Sequence, residues 1–277
     1  MAKGKIFAEQ FSINTGKNMD KKLILLTNDD GIEAEGIHAL YKTFVEDESF
    51  EIKIIAPEFE RSAVGHAITV FDPIWVKKEY RDGEFYGFGV NGTPADCVKL
   101  YHELLGVKPD LLVSGINRGA NVGENIIYSG TVSAATEGIS NGIPSIAISI
   151  DSYTEPDYDF SARFAKYIAH MIFDDSYLPE KTLLNINIPD LPKEKIKGVR
   201  ITTQSDAKFK EYFLKRSDPR GRDYYWMDGE FLEISKCDDG DYCAIKNGYI
   251  SITPLQYDMT DYSKIQYFKK WDIKIND

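Results

Sequence analysis

The sequence predicts an α/β protein with a doubly wound, mainly parallel sheet, followed by a C-terminal β-hairpin arm and a terminal helix. Three observations carry this. Apolar strand-like runs alternate with helical patterns, which is how a parallel sheet with crossover helices is written. Each of the early strand-like runs ends in short polar residues and glycine. After Thr202 the texture changes to polar, basic and aromatic, with turn signals at short intervals.

The elements follow in order. Leu23–Thr27, Ile52–Ala56, Leu111–Ser114 and Ile146–Ile150 read as buried strands. Between and after them, Gly36–Glu46, Pro94–Leu105, Val132–Asn141 and Phe160–Phe173 carry helical spacing. "KTLLNINIPDLP" is a further strand with a proline stop, and "GVRIT" begins a sixth. Asp228-Gly229, Asp239-Gly240 and Asn247-Gly248 suggest hairpins, and "DYSKIQYFKKW" reads as an amphipathic helix. Residues 1–18, without the apolar core of a signal peptide, are expected to be a non-native or disordered leader. Residues 19–202 are expected to form the Rossmann-like core, and residues 203–277 a C-terminal arm with its helix.

Composition narrows the class. With 43% hydrophobic and 28% charged residues, the chain is an ordinary globular protein. A net charge of -11 argues against a nucleic-acid coat protein and against binding to duplex nucleic acid. Three cysteines, Cys97, Cys237 and Cys243, match no zinc spacing and are expected to be free thiols in a cytoplasmic protein. No apolar run is long enough to cross a membrane.

In open parallel sheets, ligands bind beyond the carboxyl ends of the strands. There the first strand is followed by Asn28, Asp29, Asp30 and Gly31. Two adjacent carboxylates repel, and each raises the other's pKa unless a cation or water compensates. The second strand leads to "APEFERSAVGHAIT", with Arg61, Ser62 and His66. "VNGTPADCV" places Asn91 before a helix, and the fourth segment is "VSGINRGANVGENIIYSGTVSAATEG". These are oxygen donors, the set that suits Mg²⁺ or Mn²⁺. A receiver domain would need a further acid and a lysine, where these loops offer serine and asparagine. A phosphoaspartyl hydrolase would space its acids one residue apart, unlike "NDDG". Ser129, Gly130 and Thr131 stand at a helix start, where backbone N–H groups favour phosphate. Solvated acids and ordinary capping are the plain alternatives for these pieces taken singly.

Together the segments closely resemble the SurE family of nucleotidases. The resemblance rests on "ILLTNDDGIEAEGI", "APEFERSAVGHAIT", "NGTPADCV", "PDLLVSGINRGANVGENIIYSGTVSAATEG", "LNINIPDLPKEKIKGVRIT", "DPRGRDYYW" and "GYISITPL", in the family's order from about Lys22 to Trp271. It implies a Rossmann-like domain whose C-terminal arm is exchanged between subunits, giving homodimers or homotetramers. It implies a divalent-metal-dependent 5′-nucleotidase, with one Mg²⁺ or Mn²⁺ per subunit held by Asp29, Asp30, Ser62 and Asn117. 3′-Nucleotidase and exopolyphosphatase activities are finer alternatives that the sequence leaves open. Three positions depart from the family pattern. Ala63 stands where many members have glycine, Asn125 where many have aspartate, and Glu35 where proline is common.

The expected chemistry is attack on a nucleoside monophosphate by metal-activated water. Asp29 or Asp30 would take the water's proton. Asn121, Ser129, Gly130 and Thr131 would hold phosphate, Asn91 would line the substrate site, and His66 would protonate the leaving alkoxide or touch substrate. Two rivals make different predictions. A nucleotide sensor would bind without turnover, and a structural oligomer would keep its role after loss of both acids.

Overall fold

The computed structural model describes residues 21–152, 154, 156–174, 178–231 and 239–275. The leader expected over residues 1–18 lies outside them, as does Cys237. In chain order the elements begin with β1 (Lys22–Thr27), α1 (Glu35–Val45), β2 (Phe50–Pro57), β3 (Val76–Arg81), β4 (Glu84–Val90), α2 (Pro94–Lys99) and α3 (Tyr101–Leu105). Then come β5 (Leu111–Arg118), α4 (Asn125–Tyr128), α5 (Gly130–Ser140), β6 (Ser145–Asp151), α6 (Asp159–Asp174), β7 (Leu183–Pro189) and β8 (Val199–Ile201). The C-terminal part holds β9 (Phe209–Ser217), β10 (Asp223–Phe231), α7 (Asp241–Lys246), β11 (Ile250–Leu255) and α8 (Tyr262–Phe268).

Nine strands form one sheet in the order β3-β4-β2-β1-β5-β6-β7-β11-β8. The run from β4 to β7 is parallel throughout. β3 and β11 join it antiparallel, on β4 and β7, and β8 runs parallel to β11 at the edge. The chain lays β2 on one side of β1 and returns to the other side with β5, so the strand order reverses between β1 and β5. That reversal opens a crevice at their carboxyl ends.

The central strands are apolar almost without a break because both faces are covered. In β1 every residue after Lys22 is buried. Ile37, Leu40 and Phe44 of α1 recur at helical spacing and pack with Phe164, Ala165 and Ile168 of α6 over one face of the sheet. On the other face α2 packs against α5, with Val98 and Ala134 in one apolar cluster with Leu25, Ile55 and Leu112. Thr93 and Asp96 form a reciprocal capping box that starts α2, with Pro94 inside it.

Towards β11 the sheet changes character on one face. Ser149 of β6, Asn185 and Asn187 of β7, and Ser251 and Thr253 of β11 are all buried. An irregular chain segment covers this face, and its unpaired backbone groups need partners.

Several expectations are corrected. The predicted helix Pro94–Leu105 is two short helices, with Leu100 between them. A hairpin was overlooked: β3 and β4 are joined through Asp82 and Gly83, both at positive φ, as a tight two-residue turn requires. In the arm the hairpin turns at Asp218–Arg222, and Asp228-Gly229 lies inside β10. Gly240 instead precedes α7, and Asn247-Gly248 ends it. Dipeptide signals are local, so they cannot tell a hairpin turn from a helix end. Cys97 is a buried free thiol whose pKa burial pushes well up. Cys243 is disulfide-bonded, which corrects the expectation of free thiols throughout, since an odd count leaves one cysteine over without forbidding a pair. No helix among the described residues is long and apolar enough to cross a membrane.

Candidate active site

The acid pair follows β1 directly. Asn28 is buried, and its Nδ2 donates to the Gly31 carbonyl over 2.7 Å, which shapes the turn that presents Asp29 and Asp30. Asp29 is itself buried. Burial raises its pKa against the lowering effect of the Thr131 hydroxyl, which donates to Asp29 Oδ1. The main-chain N–H groups of Gly130 and Thr131 also favour its charged form. Asp30 is raised to about 7, first by burial and then by the charge of Asp29, with Glu60 adding to the same effect. Arg118 opposes it, through its main-chain N–H and its side-chain charge.

The N-terminus of α5 closes on this pair. Ser129 caps the helix by accepting from the Val132 N–H at 3.1 Å. Gly130 fits there because it lacks a side chain. A Cβ would stand 2.7 Å from Asp29 Cβ and 2.8 Å from Oδ2.

Asn117 arrives from β5, where the pairing with β6 shifts register between Ser114 and Asn117. Its Nδ2 donates to the Gly119 carbonyl over 2.7 Å, so the amide oxygen remains as an acceptor. Ser62 arrives on the loop between β2 and β3. The Arg61 N–H donates to the Asp29 carbonyl at 2.7 Å, tying that loop to the acid turn. The Ser62 hydroxyl donates to Glu60 Oε1 at 2.6 Å. Ala63 sits at φ 55°, a conformation glycine adopts without strain, which accounts for glycine as the expected residue.

Two carboxylates, an amide oxygen and a hydroxyl are an all-oxygen donor set, and it fits a hard divalent cation. The packing of Asp29 and Asp30 fits as well: both acids are pushed towards neutrality where a cation would restore their charge. No group of three or more His, Cys, Asp or Glu side chains suited to a metal occurs among the described residues.

Other predicted site residues stand elsewhere in the network. His66 Nε2 lies 2.9 Å from Glu137 Oε2. Glu137 also accepts from Lys99 at 2.7 Å and from Asn141 at 2.8 Å. Burial pushes Glu137 up, yet these donors outweigh it and hold its pKa at about 2. His66 thus fastens its loop to α5. Asn91 Oδ1 accepts from the Trp75 N–H at 2.7 Å, and the Asn91 carbonyl accepts from Arg61 Nη2 at 2.9 Å. These bonds make Asn91 an anchor for the two ends of the same loop.

Asn121 is buried within the polar face of the sheet. Its N–H donates to Asn187 Oδ1 at 2.8 Å and its Nδ2 to Ser149 Oγ at 2.9 Å. Its carbonyl accepts from Asn185 at 2.8 Å and from Asn187 at 3.1 Å. Next along, Gly123 takes φ 55°, where a Cβ would meet the Ala207 carbonyl at 2.5 Å. Its N–H donates to Asp241 at 3.1 Å, and its carbonyl accepts from Gln204 at 2.8 Å. Sequence reasoning missed Asn185, Asn187 and Asp241. The signal was present in "LLNINIP", where asparagine alternates with apolar residues in a strand that otherwise reads as buried.

The comparisons with known proteins show the family and the fold. The model of the family "Survival protein SurE" matches residues 24–211. The 5'-nucleotidase SurE of Syntrophus aciditrophicus is 51% identical over 248 residues, covering 88% of this chain and 92% of its own. That of Heliobacterium modesticaldum is 46% identical over 250 residues, covering 90% and 91%. Among solved structures, the SurE protein from Aquifex aeolicus aligns with a TM-score of 0.76 at 38% identity, over 89% of this chain and 98% of that one. With its central sheet, its acid turn and its asparagine-bearing strand end in place, this chain belongs to the SurE family.

Proposed function

We propose that the protein is a divalent-metal-dependent phosphomonoesterase that hydrolyses nucleoside monophosphates to nucleoside and phosphate. The broader class, a 5′-nucleotidase-type hydrolase, follows from family membership. The observation that carries the finer reading is the buried acid pair facing the N-terminus of α5. Asp29, Asp30, Asn117 and Ser62 would hold one Mg²⁺ or Mn²⁺. When bound, that ion would supply Lewis acidity and lower the pKa of a water.

The chain's own residues divide the remaining work. Thr131 and the α5 N-terminus fix Asp29 in one orientation, leaving Asp30 as the acid less engaged with α5 and better placed to accept a proton from water. The N-terminal end of α5, whose Gly130 and Thr131 N–H groups already favour the charged form of Asp29, would add its positive dipole where charge develops on the phosphoryl oxygens. Phosphoryl transfer needs positioning and charge stabilisation more than covalent help. His66, held by buried Glu137, is the candidate to meet the leaving oxygen. The arm hairpin, with Tyr225 and Trp226 exposed, is proposed as the contact with a second copy of the chain, giving a dimer or tetramer.

The test is phosphate release from a panel of nucleoside monophosphates and a small aryl phosphate, with and without added Mn²⁺ or Mg²⁺. Metal-dependent release that favours nucleotides is expected. Tight nucleotide binding without turnover would favour a sensor.

A further inference from the structure

Arg118 is the last residue of β5 and follows Asn117 directly, so it stands at the crevice between the β1 and β5 ends. Its side chain is exposed. Among the described residues its guanidinium makes no ion pair and no hydrogen bond, whereas neighbouring cations are committed. Arg61 donates to the Asn91 carbonyl, Lys99 to Glu137, and Lys77 pairs with Glu79. Of the three charges that act most on Asp30, those of Asp29, Glu60 and Arg118, that of Arg118 alone is positive. The same guanidinium acts on Tyr158, which packs on the α1 and α6 side of the sheet. Thr131 meets the acid pair from α5, on the opposite side. The site therefore has two walls, and the one away from α5 carries a guanidinium that, among the described residues, has no ion pair and no hydrogen bond.

We propose that Arg118 is a substrate-binding residue that grips the phosphoryl group from the wall opposite the α5 N-terminus. The inference rests on the reading of the acid pair as a metal and phosphate site. A phosphomonoester is a dianion and meets three carboxylates here: Asp29, Asp30 and Glu60. A divalent cation cancels two of those charges, and a further positive group is needed before the dianion is drawn in rather than repelled. A planar guanidinium suits this role because it can bond two phosphate oxygens at once. The position also explains why Arg118 is left unpaired, since pairing with a protein carboxylate would occupy the donors that the substrate needs.

The role has a signature that a structural one lacks. Arg118 attracts phosphate and repels the metal, so its removal should move the two affinities in opposite directions. Two variants, Arg118→Met and Arg118→Lys, are compared with the wild type. Mn²⁺ alone is titrated by calorimetry, and inhibition by inorganic phosphate and KM for an aryl phosphate are measured on the Mn²⁺-loaded protein. In Arg118→Met, the phosphate inhibition constant and KM should rise roughly 10-fold, the size of a charged hydrogen bond lost. Mn²⁺ should bind at least as tightly as in the wild type, by about threefold more where screening is weak. Arg118→Lys should recover part of the phosphate affinity. Unchanged phosphate inhibition and KM would overturn the proposal. So would a parallel loss of Mn²⁺ affinity, which would mark Arg118 as structural. Failure of the wild type to release phosphate with metal would remove the underlying reading, and is seen before any variant is compared.

Discussion

Asp29 and Asp30 share a strand end but not an environment. Asp29 is locked by Thr131 and lies against Gly130, whereas Asp30 faces Glu60 and Arg118. The pKa of Asp30 in the folded protein, about 7, lies above its ordinary value of 3.8. A raised carboxylate favours folding fully below the ordinary value and loses that contribution as pH climbs through the folded value. Metal-free protein should therefore lose stability between about pH 4 and pH 7 on account of this group. Mn²⁺ affinity should rise across the same interval, because the ion binds the ionised pair. In Asp30→Asn, thermal unfolding without metal should show a flatter pH dependence and a higher Tm at pH 8. A Tm below wild type there would mean that the acid is already compensated in the absence of metal.

At the scale of elements, the segment from Gly119 to Glu124 is held as firmly as a strand would be, but by side chains. Asn185 and Asn187 bond the backbone of Asn121, while Asp241 and Gln204 bond that of Gly123. This brace sits between Asn117 on one side and the start of α5 on the other. In Asn187→Leu the Asn121 N–H loses its acceptor and its carbonyl one of two donors, leaving buried polar groups short of partners at about 1–3 kcal/mol. Chemical denaturation should show a loss of that size, and turnover should fall as Asn117 and Thr131 drift. Stability equal to wild type would show that the loop relaxes at no cost. The acid turn was legible because adjacent acids at a strand end are a local signal, and buried strands betray themselves by apolar runs; Ser62 and Asn117 entered the proposed ligand set only through the family resemblance. The brace was less legible because its partners lie more than sixty residues apart in the chain. Asn121 and Asn91 illustrate the same point, since an asparagine in a loop looks alike in sequence whether it faces a ligand or another strand. The β3–β4 hairpin is different. Asp82-Gly83 is a local turn signal, but the lysines and glutamates around it leave its strands without a buried apolar run.

Across the whole molecule, one sheet builds the crevice and the C-terminal part reaches back to it. β11 pairs with β7 inside the sheet, and the root of the arm bonds the site loop, with the Glu124 N–H donating to the Ala207 carbonyl at 3.1 Å. Among the described residues the hairpin beyond it forms a separate two-stranded sheet and leaves Phe213, Tyr225 and Trp226 more than half exposed. A two-stranded ribbon of that kind is marginal alone. On the proposed arm contact, replacing residues 210–230 by a short flexible link, which spares β11 and the arm root, should lower the mass read by light scattering to that of a monomer. An unchanged mass would remove the arm from the assembly. The central claim, that the acid pair holds a catalytic metal, is tested most directly by phosphate release from a nucleoside monophosphate in Asp29→Asn at saturating Mn²⁺, beside the wild type. A ligand should matter at least as much as a residue behind a ligand, so turnover should fall by about 100-fold or more while the fold survives. Turnover near that of the wild type would contradict it.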